Sequence, residues 1–206
     1  MKVERLVLGL LHTNCYFIYD ENTKEAVVVD PASNIKKILA VINELLLKVK
    51  LIVLTHAHSD HICALDELCE VTGAKICIGK DDAMALNDGE INLCTYFRHA
   101  SPTRTPDVIL NDGDVLKLDN FELKVISTPG HTCGSICLLS DNVLISGDTL
   151  FFESVGRTDF ATSDLDKLMK SIKDKLYVLD RSTIVYPGHG EQTTIGHEID
   201  NNPFVR

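Results

Sequence analysis

The segment that most constrains this chain follows a short apolar run, residues 51–54, and reads His56-Ala57-His58-Ser59-Asp60-His61. A continuous apolar run of this kind is typical of a strand buried on both faces. In an extended chain His56 and His58 point the same way, because side chains alternate, and Asp60 and His61 then fall at the start of the next helix. The segment holds three of the eight histidines. Because neutral imidazole is the commonest protein metal ligand, this density predicts a metal site at the end of a buried strand.

In each of three later segments, an apolar run is followed by a glycine and then by a residue that can bind metal. They cover residues 126–131, 144–148 and 185–189, and they end at His131, Asp148 and His189. Glycine at these points permits a sharp turn or the close approach of another backbone. Ligands that follow strand ends can meet above one edge of a sheet, so we expect these side chains to join the first cluster.

The candidate ligands are enough for two divalent ions. The first trio of ligands is His56, His58 and His131. The second trio is Asp60, His61 and His189. Asp148 is the carboxylate expected to bridge the two ions. Nitrogen-rich sites without thiolate suit Zn²⁺, while Fe and Mn also accept mixed imidazole and carboxylate ligands. We therefore expect two divalent metal ions per chain, Zn²⁺ first and Fe or Mn as alternatives.

The ligand count also indicates chemistry. Three protein ligands per ion, plus a shared one, leave room for water, which is the arrangement of catalytic rather than structural metal sites. A bound divalent ion lowers the pKa of water to about 7 and so supplies hydroxide at neutral pH. The hypothesis is a binuclear metallohydrolase in which a metal-bound bridging hydroxide attacks the carbonyl carbon of an ester or thioester. Asp60 is the candidate catalytic residue, since besides binding metal it would orient that hydroxide.

Length and charge narrow the class of protein and its partners. The 206 residues suit one well-buried domain, assigned to 1–206. The formal net charge of −10 lacks the basic footprint of nucleic-acid-binding proteins and gives no attraction to an anionic membrane. No signal peptide and no apolar run long enough to span a bilayer are expected. The expected partner is a small-molecule ester or thioester, and the oligomeric state stays open.

The cysteines indicate a reducing compartment. There are seven, and none forms a C-x-x-C pair, which argues against a zinc knuckle or a thioredoxin-like motif. Most lie in apolar surroundings, so we expect small buried hydrophobes in a cytoplasmic protein. Cys133 follows His131 closely, and it too is expected to pack in the core.

Hydrophobic patterns predict the order of strands and helices. Residues 15–19 and 26–29 flank a polar turn and predict a β-hairpin. Helices are expected over 35–47, 62–71, 165–176 and 194–201, and further strands over 51–54, 75–78, 115–118, 121–126, 135–139, 143–146 and 184–186. Hairpins mixed with strand–helix–strand units predict an α/β (α+β) class with mixed sheets covered by helices. After a short helix at 81–86, the irregular stretch 87–105 is expected to form one wall of a pocket.

These residues resemble the metallo-β-lactamase superfamily, whose hallmark is His-x-His-x-Asp-His followed by distant His, Asp and His ligands. The similarity extends to residues 13–16, 128–132, 146–151, 156–159, 187–190 and 194–204. That wider set looks like the glyoxalase II-like branch. The resemblance implies an αββα sandwich, two mixed β-sheets flanked by helices, with the site along one sheet edge. It also implies a thioesterase of the hydroxyacylglutathione hydrolase type.

One departure limits this resemblance. Glyoxalase II enzymes carry an additional C-terminal helical region that binds glutathione, whereas this chain ends 17 residues after His189. The chain therefore resembles the short, single-domain relatives, for which thioester hydrolysis is implied. The acyl group, the thiol and any role of glutathione stay open.

Two alternatives also stay open. Persulfide dioxygenases share the same cluster and a motif similar to residues 156–160, and resemblance to them implies a single Fe(II) held by His56, His131 and Asp148. The second alternative is a metal-binding module without catalytic activity. It is less favoured, because every ligand position is filled in this chain. Hydrolysis of β-lactam antibiotics is not expected, because metallo-β-lactamases proper lack the glycine–aspartate pair that ends at Asp148.

Arg157 has two interpretations of about equal weight. Its guanidinium suits a substrate carboxylate, and it also suits a pair with Asp159 that fixes a loop. His12, His99 and His197 have no clustered partners, so we expect surface or hydrogen-bonding histidines.

Overall fold

The computed structural model describes residues 1–205 and places its strands in two large sheets and one small ribbon. The strands are β1 (Lys2–Leu8), β2 (Thr13–Tyr19), β3 (Glu25–Val29), β4 (Lys48–Leu54), β5 (Lys75–Gly79), β6 (Val108–Leu110), β7 (Val115–Lys117), β8 (Glu122–Ser127), β9 (Ile136–Ser140), β10 (Val143–Gly147), β11 (Leu150–Phe151), β12 (Ser154–Val155), β13 (Ile184–Pro187) and β14 (Thr193–Thr194). The helices are α1 (Ile35–Leu45), α2 (Ser59–Ile62), α3 (Leu65–Thr72), α4 (Cys94–Phe97), α5 (Leu165–Ser171) and α6 (Ile195–Asn201).

Both large sheets are mixed, as the patterns predict. The first has the order β1-β2-β3-β4-β5-β6, antiparallel from β1 to β3 and parallel from β3 to β6. The second has the order β14-β13-β10-β9-β8-β7, in which only β10 and β13 run parallel. Parallel pairing needs a crossover, and α1 and α3 supply crossovers in the first sheet.

Neighbouring residues of one strand enter different cores, because side chains alternate across a sheet. On β2, Phe17 packs in the core that contains α1 and α3, while Tyr16 and Ile18 lie in the core between the two sheets. On β10, Ile145 joins that middle core, and Leu144 packs in the core that contains α5 and α6. Three cores thus separate four layers, which confirms the expected αββα sandwich.

Helix ends follow local capping rules. Asn34 caps α1 by accepting a hydrogen bond from the Lys37 backbone N–H, and Asp164 caps α5 in the same way. Thr194 caps α6 by accepting from the His197 backbone N–H. No helix within residues 1–205 has the length and apolar character that a membrane span requires.

The helix expected over 62–71 is divided into α2 and α3. Between them, the Ala64 N–H donates to the Pro31 carbonyl oxygen at 3.0 Å. This bond ties the histidine-rich segment to the loop after β3. Local periodicity cannot reveal it, because the two partners lie far apart in the sequence.

Three smaller differences from the predicted elements concern short or irregular turns. The helix predicted over 165–176 continues after α5 as a π-helical turn, Ile172–Leu176. The short helix at 81–86 is instead two 3₁₀ turns, Lys80–Asp82 and Ala85–Asn87. β6, which has three residues, was not predicted.

Gly130, the residue before His131, lies where α5 packs against the loop that carries this ligand. A Cβ built on Gly130 would lie 2.3 Å from the Leu168 Cα, and its φ is +152°. Gly130→Ala should therefore lower the free energy of unfolding of the metal-free protein by at least about 2 kcal/mol in urea titrations. Gly73→Ala is the matched control, since Gly73 also has a positive φ, +66°, and within residues 1–205 the added Cβ meets no atom of a non-neighbouring residue within 4 Å. It should cost about 1 kcal/mol. Equal losses would contradict the close packing.

Candidate metal centre

Each candidate ligand follows the end of a buried strand. The segment from His56 to His61 leaves β4 and enters α2, with His58 as the N-cap residue. His131 follows β8, Asp148 follows β10, and His189 follows β13. The carboxyl ends of these strands therefore bring together all seven side chains that the sequence analysis singled out.

The side chains converge closely enough to hold metal ions. Three sets of ligand atoms each lie within 4.8 Å of one another: the first trio, the second trio, and the set of His56, His61 and Asp148. His56, His58 and His61 are buried, and their Nε2 atoms have no hydrogen-bond partner among the described residues; nor does the Asp148 Oδ1 atom. A buried polar atom without a partner costs about 1–3 kcal/mol. Divalent metal ions, held by imidazole nitrogens and carboxylate oxygens, fit this donor set.

Asp148 lies between the two trios. Its Oδ1 atom is 3.4 Å from the His61 Nε2 atom, and its Oδ2 atom is 3.5 Å from the Nε2 atoms of both His131 and His189. One oxygen therefore faces the second trio and the other faces both. This is the position that a bridging carboxylate requires.

Asp60 belongs to the second trio by geometry as well as by sequence. Its Oδ2 atom lies 3.4 Å from the His61 Nε2 atom and 3.3 Å from the His189 Nε2 atom. The same oxygen accepts a hydrogen bond of 2.8 Å from the Thr13 hydroxyl. Thr13 stands at the start of β2, so the first sheet fixes this carboxylate.

Most ligand imidazoles are oriented by a hydrogen bond at Nδ1, which directs Nε2 toward the centre. The partners are Thr55 Oγ1 for His56 (3.1 Å), Asp30 Oδ2 for His61 (2.9 Å), the Arg157 carbonyl oxygen for His131 (2.8 Å) and the Leu11 carbonyl oxygen for His189 (3.0 Å). In His58 it is Nδ1 that faces the other ligands, 2.9 Å from the His131 Nε2 atom.

Asp30 is a supporting residue that the sequence analysis missed. It follows β3, is buried, and adopts a left-handed φ of 52°. Besides contacting His61, its carboxylate accepts hydrogen bonds from the Thr55 backbone N–H at 2.8 Å and the Thr55 hydroxyl at 2.7 Å. A charged residue directly after the apolar run 26–29 was the available signal.

Asp82 is the second missed residue, and it joins two ligand loops. Its buried carboxylate accepts hydrogen bonds from the Ala57 N–H at 3.0 Å, the Thr132 hydroxyl at 2.8 Å and the Gly134 N–H at 2.8 Å. Ala57 lies between two ligand histidines, and Thr132 follows His131. No local spacing marks Asp82, because it sits in a turn that is 25, 50 and 52 residues from its three partners.

The two trios differ in their affinity for protons. Burial, reinforced by the neighbouring imidazoles, lowers the pKa of His56 far below its usual range and that of His58 to about 3. Burial also opposes protonation of His61, yet the nearby carboxylates, Asp60 first, raise its pKa to about 10. Burial disfavours the charged form of Asp60, but the positive charge of His61 and hydrogen bonds hold its pKa well below the usual value. The metal-free centre therefore carries a proton on the second trio at neutral pH.

The open side of the centre is a cavity of about 610 Å³. Tyr96, Phe97 and Phe160 form aromatic walls, and Arg157 stands at its edge. Tyr96 and Phe97 belong to α4, so part of the irregular stretch 87–105 does form a pocket wall, as expected. Arg157 donates two hydrogen bonds to Asp159, at 2.9 and 2.7 Å, and its guanidinium lies over the Phe160 ring at 4.8 Å. The loop-fixing pair is therefore formed, while the backbone carbonyl of Arg157 supports His131.

The remaining polar residues have ordinary roles, with one correction. Cys133 is exposed, and its thiol donates to the Asp81 carbonyl oxygen at 3.3 Å, so the expectation that it packs in the core was wrong. It lies in a turn whose Gly134 backbone N–H donates to the Asp82 carboxylate at 2.8 Å. His197 is a hydrogen-bonding surface residue, paired with Glu153 at 3.0 Å. The Tyr16 hydroxyl donates to the Pro187 carbonyl oxygen at 2.7 Å and so steadies the strand before His189.

The difference in protonation predicts which metal site is sensitive to pH. Imidazole binds metal only when its ligand nitrogen is deprotonated. His61, with a pKa of about 10, must lose its proton. Burial opposes protonation of His189, but its hydrogen bond with Asp60 and the negative charges of Asp148 and Asp60 together raise its pKa as well. Binding of a second metal equivalent at pH 7 should therefore release about one proton more than binding of the first. Its dissociation constant should rise about tenfold for each pH unit lowered from 9 to 6. Titration calorimetry in buffers of different ionisation enthalpy measures both, and equal proton release would contradict the assignment.

Comparison with known proteins identifies the family. The model of the metallo-β-lactamase superfamily matches residues 8–189. Hydroxyacylglutathione hydrolase GloC of Haemophilus influenzae is 34% identical over 209 residues, which cover 100% of this chain and 98% of that protein. The crystal structure of the BLEG-1 B3 metallo-β-lactamase superposes with a TM-score of 0.95 at 35% identity over 99% of each chain. That of TTHA1623 in a di-iron-bound form gives 0.85 at 33% identity, covering 98% of this chain and 99% of the other. With its hallmark ligands gathered at the edge of an αββα sandwich, the chain belongs to the metallo-β-lactamase superfamily.

Proposed function

We propose that the protein is a binuclear metal-dependent hydrolase of thioesters, of the hydroxyacylglutathione hydrolase type. One observation carries the proposal: two complete ligand trios converge, with the Asp148 carboxylate between them, at the base of an open cavity. Similarity to a hydroxyacylglutathione hydrolase over nearly the full length of both chains supports the substrate class.

Divalent ions bound by the two trios would supply a coordinated water of pKa about 7 and a Lewis acid for the carbonyl oxygen. The chain's own residues supply position and charge. Asp60 is held by the Thr13 hydroxyl at 2.8 Å, and its lowered pKa keeps it ionised, so it can orient the attacking water. The aromatic walls of the cavity limit the water around the substrate. Hydrolysis breaks the carbon–sulfur bond, gives the acyl group as a carboxylic acid, and leaves the sulfur as a thiol.

We propose Zn²⁺ as the metal in both positions, with Fe or Mn as alternatives. Five of the six trio ligands are imidazoles and the centre has no thiolate, a set that all three metals accept. The di-iron form of TTHA1623 supports iron as an alternative and supports the count of two. The cysteines have free thiols, which fits a reducing compartment such as the cytoplasm.

A mononuclear Fe(II) persulfide dioxygenase is the competing activity. Its ligands would be His56, His131 and Asp148, and the His131 Nε2 atom lies 3.5 Å from the Asp148 Oδ2 atom. Because dioxygenases of this kind share the same cluster, the ligand set alone does not separate the two activities. Similarity to a hydroxyacylglutathione hydrolase over 98% of that protein favours the hydrolase.

Activity and metal content together test the proposed function. Protein purified without added metal should contain about two metal ions per chain by elemental mass spectrometry, release thiol from S-D-lactoylglutathione, and lose activity with a chelator. One iron per chain with oxygen uptake on glutathione persulfide, and no thiol release, would overturn the hydrolase in favour of the dioxygenase. Hydrolysis of a β-lactam but not of the thioester would overturn the substrate class.

Asp148→Ala tests the bridging position. Removing the carboxylate that faces both trios should reduce bound metal at both positions and lower kcat/KM by about 10³-fold or more. Asp174→Ala is the control, because Asp174 is exposed on the turn after α5, away from the ligands. An Asp148→Ala protein with full metal content and full rate would contradict the assignment.

A further inference from the structure

A second cavity, of about 550 Å³, adjoins the cavity over the metal centre. Leu11, Asp60 and Phe97 line both. A ligand whose reacting group lies beside Asp60 can therefore extend in two directions. The volume falls in the range of small-molecule binding sites, about 300–1,000 Å³.

The two cavities differ in chemistry. The larger one has Arg157 at its edge, whereas the wall of the second contains no lysine or arginine in the part of the chain that the structure describes. Its one acidic residue is Asp60. An anionic group placed there would be repelled by Asp60 and would find no lysine or arginine to pair with. The second cavity is thus unsuited to a carboxylate.

Two polar side chains of this wall already have partners. The Thr13 hydroxyl donates to the Asp60 carboxylate at 2.8 Å. The Cys63 thiol donates to the Ser59 carbonyl oxygen at 2.9 Å and lies 3.2 Å from the His99 Nδ1 atom. What remains facing the cavity is mainly apolar: Leu10, Leu11, Phe97 and Ala100. An apolar occupant therefore matches this wall.

Leu10 makes the rim of the cavity unusually apolar. It stands in the turn between β1 and β2, where Gly9 has a φ of 70° and His12 a φ of 55°, and its side chain is 98% exposed. Burial of such a side chain under an apolar ligand is favourable. The next residue, Leu11, accepts the hydrogen bond from His189 Nδ1 at 3.0 Å. The turn that presents the apolar rim is thus fixed to a ligand of the metal centre.

We propose that this second cavity binds the acyl chain of the substrate, and that the chain is an apolar group of medium length. The thiol portion then lies in the larger cavity, beside Arg157. This inference rests on the proposed thioester hydrolysis and adds that the enzyme selects longer apolar acyl groups over short polar ones. Each buried methylene is worth about 0.8 kcal/mol, so kcat/KM should rise by up to about fourfold per methylene until the cavity is full.

The test uses glutathione thioesters that differ only in the acyl group: acetyl, butanoyl, hexanoyl and octanoyl. In the metal-loaded wild-type protein, kcat/KM should rise along the series, and the octanoyl-to-acetyl ratio should reach at least about 100. Ala100→Phe fills the cavity from an exposed position and should reduce this ratio to below about 10, and Leu10→Ser should reduce it several-fold. Ala40→Phe, on the exposed face of α1, is the matched control and should keep the wild-type ratio.

A flat or falling series in the wild-type protein would overturn the proposal, and so would a ratio that Ala100→Phe leaves unchanged. Hydrolysis of S-D-lactoylglutathione but of no thioester in this series would overturn the proposal and leave the proposed function standing. If none of these thioesters is hydrolysed, the proposed function fails while the binding question is still decided. S-methylglutathione and S-hexylglutathione, which cannot be hydrolysed, then serve as calorimetric probes. Tighter binding of the hexyl compound, lost in Ala100→Phe and kept in Ala40→Phe, supports the apolar cavity. Equal binding of the two compounds overturns it.

Discussion

Burial of His56 and His61 at the edge of two sheets removes their Nε2 atoms from water and leaves them without a hydrogen-bond partner among residues 1–205. That cost has to be offset, because buried polar groups are otherwise almost always hydrogen-bonded. The surrounding fold fixes the orientation of the imidazoles through their Nδ1 atoms, which contact Thr55 and Asp30, and backbone carbonyls hold His131 and His189 in the same way. The Nε2 atoms of these four imidazoles are left to a metal, whereas in His58 it is Nδ1 that faces the other ligands.

The sandwich makes this arrangement possible because both sheets direct strand ends to one place. β4 of the first sheet contributes the histidine-rich segment, while β8, β10 and β13 of the second contribute His131, Asp148 and His189. Asp82 joins the loops from the two sheets through three hydrogen bonds. A metal bound between them therefore links the two halves of the molecule, and stability and catalysis depend on the same contacts.

Sequence reasoning succeeded where the information is local. The apolar runs of β2, β4 and β10 and the glycines before His131 and His189 all act over a few residues, so the strands and the ligands that follow them could be predicted. Asp30, Asp82 and the Arg157 carbonyl could not, since they meet their partners across 25 or more residues. Cys133 was misplaced for a related reason: its apolar character predicted burial, whereas its turn is fixed by hydrogen bonds to Asp82. The break at Ala64 is also set by a distant partner, the Pro31 carbonyl.

The central claim is that two metal ions share this centre, and diffraction data collected at a metal absorption edge test it most directly. In crystals of the protein purified without added metal, we predict two anomalous peaks per chain. One should lie within each trio, on either side of the Asp148 carboxylate. A single peak bounded by His56, His131 and Asp148, in protein that retains full activity, would contradict the account.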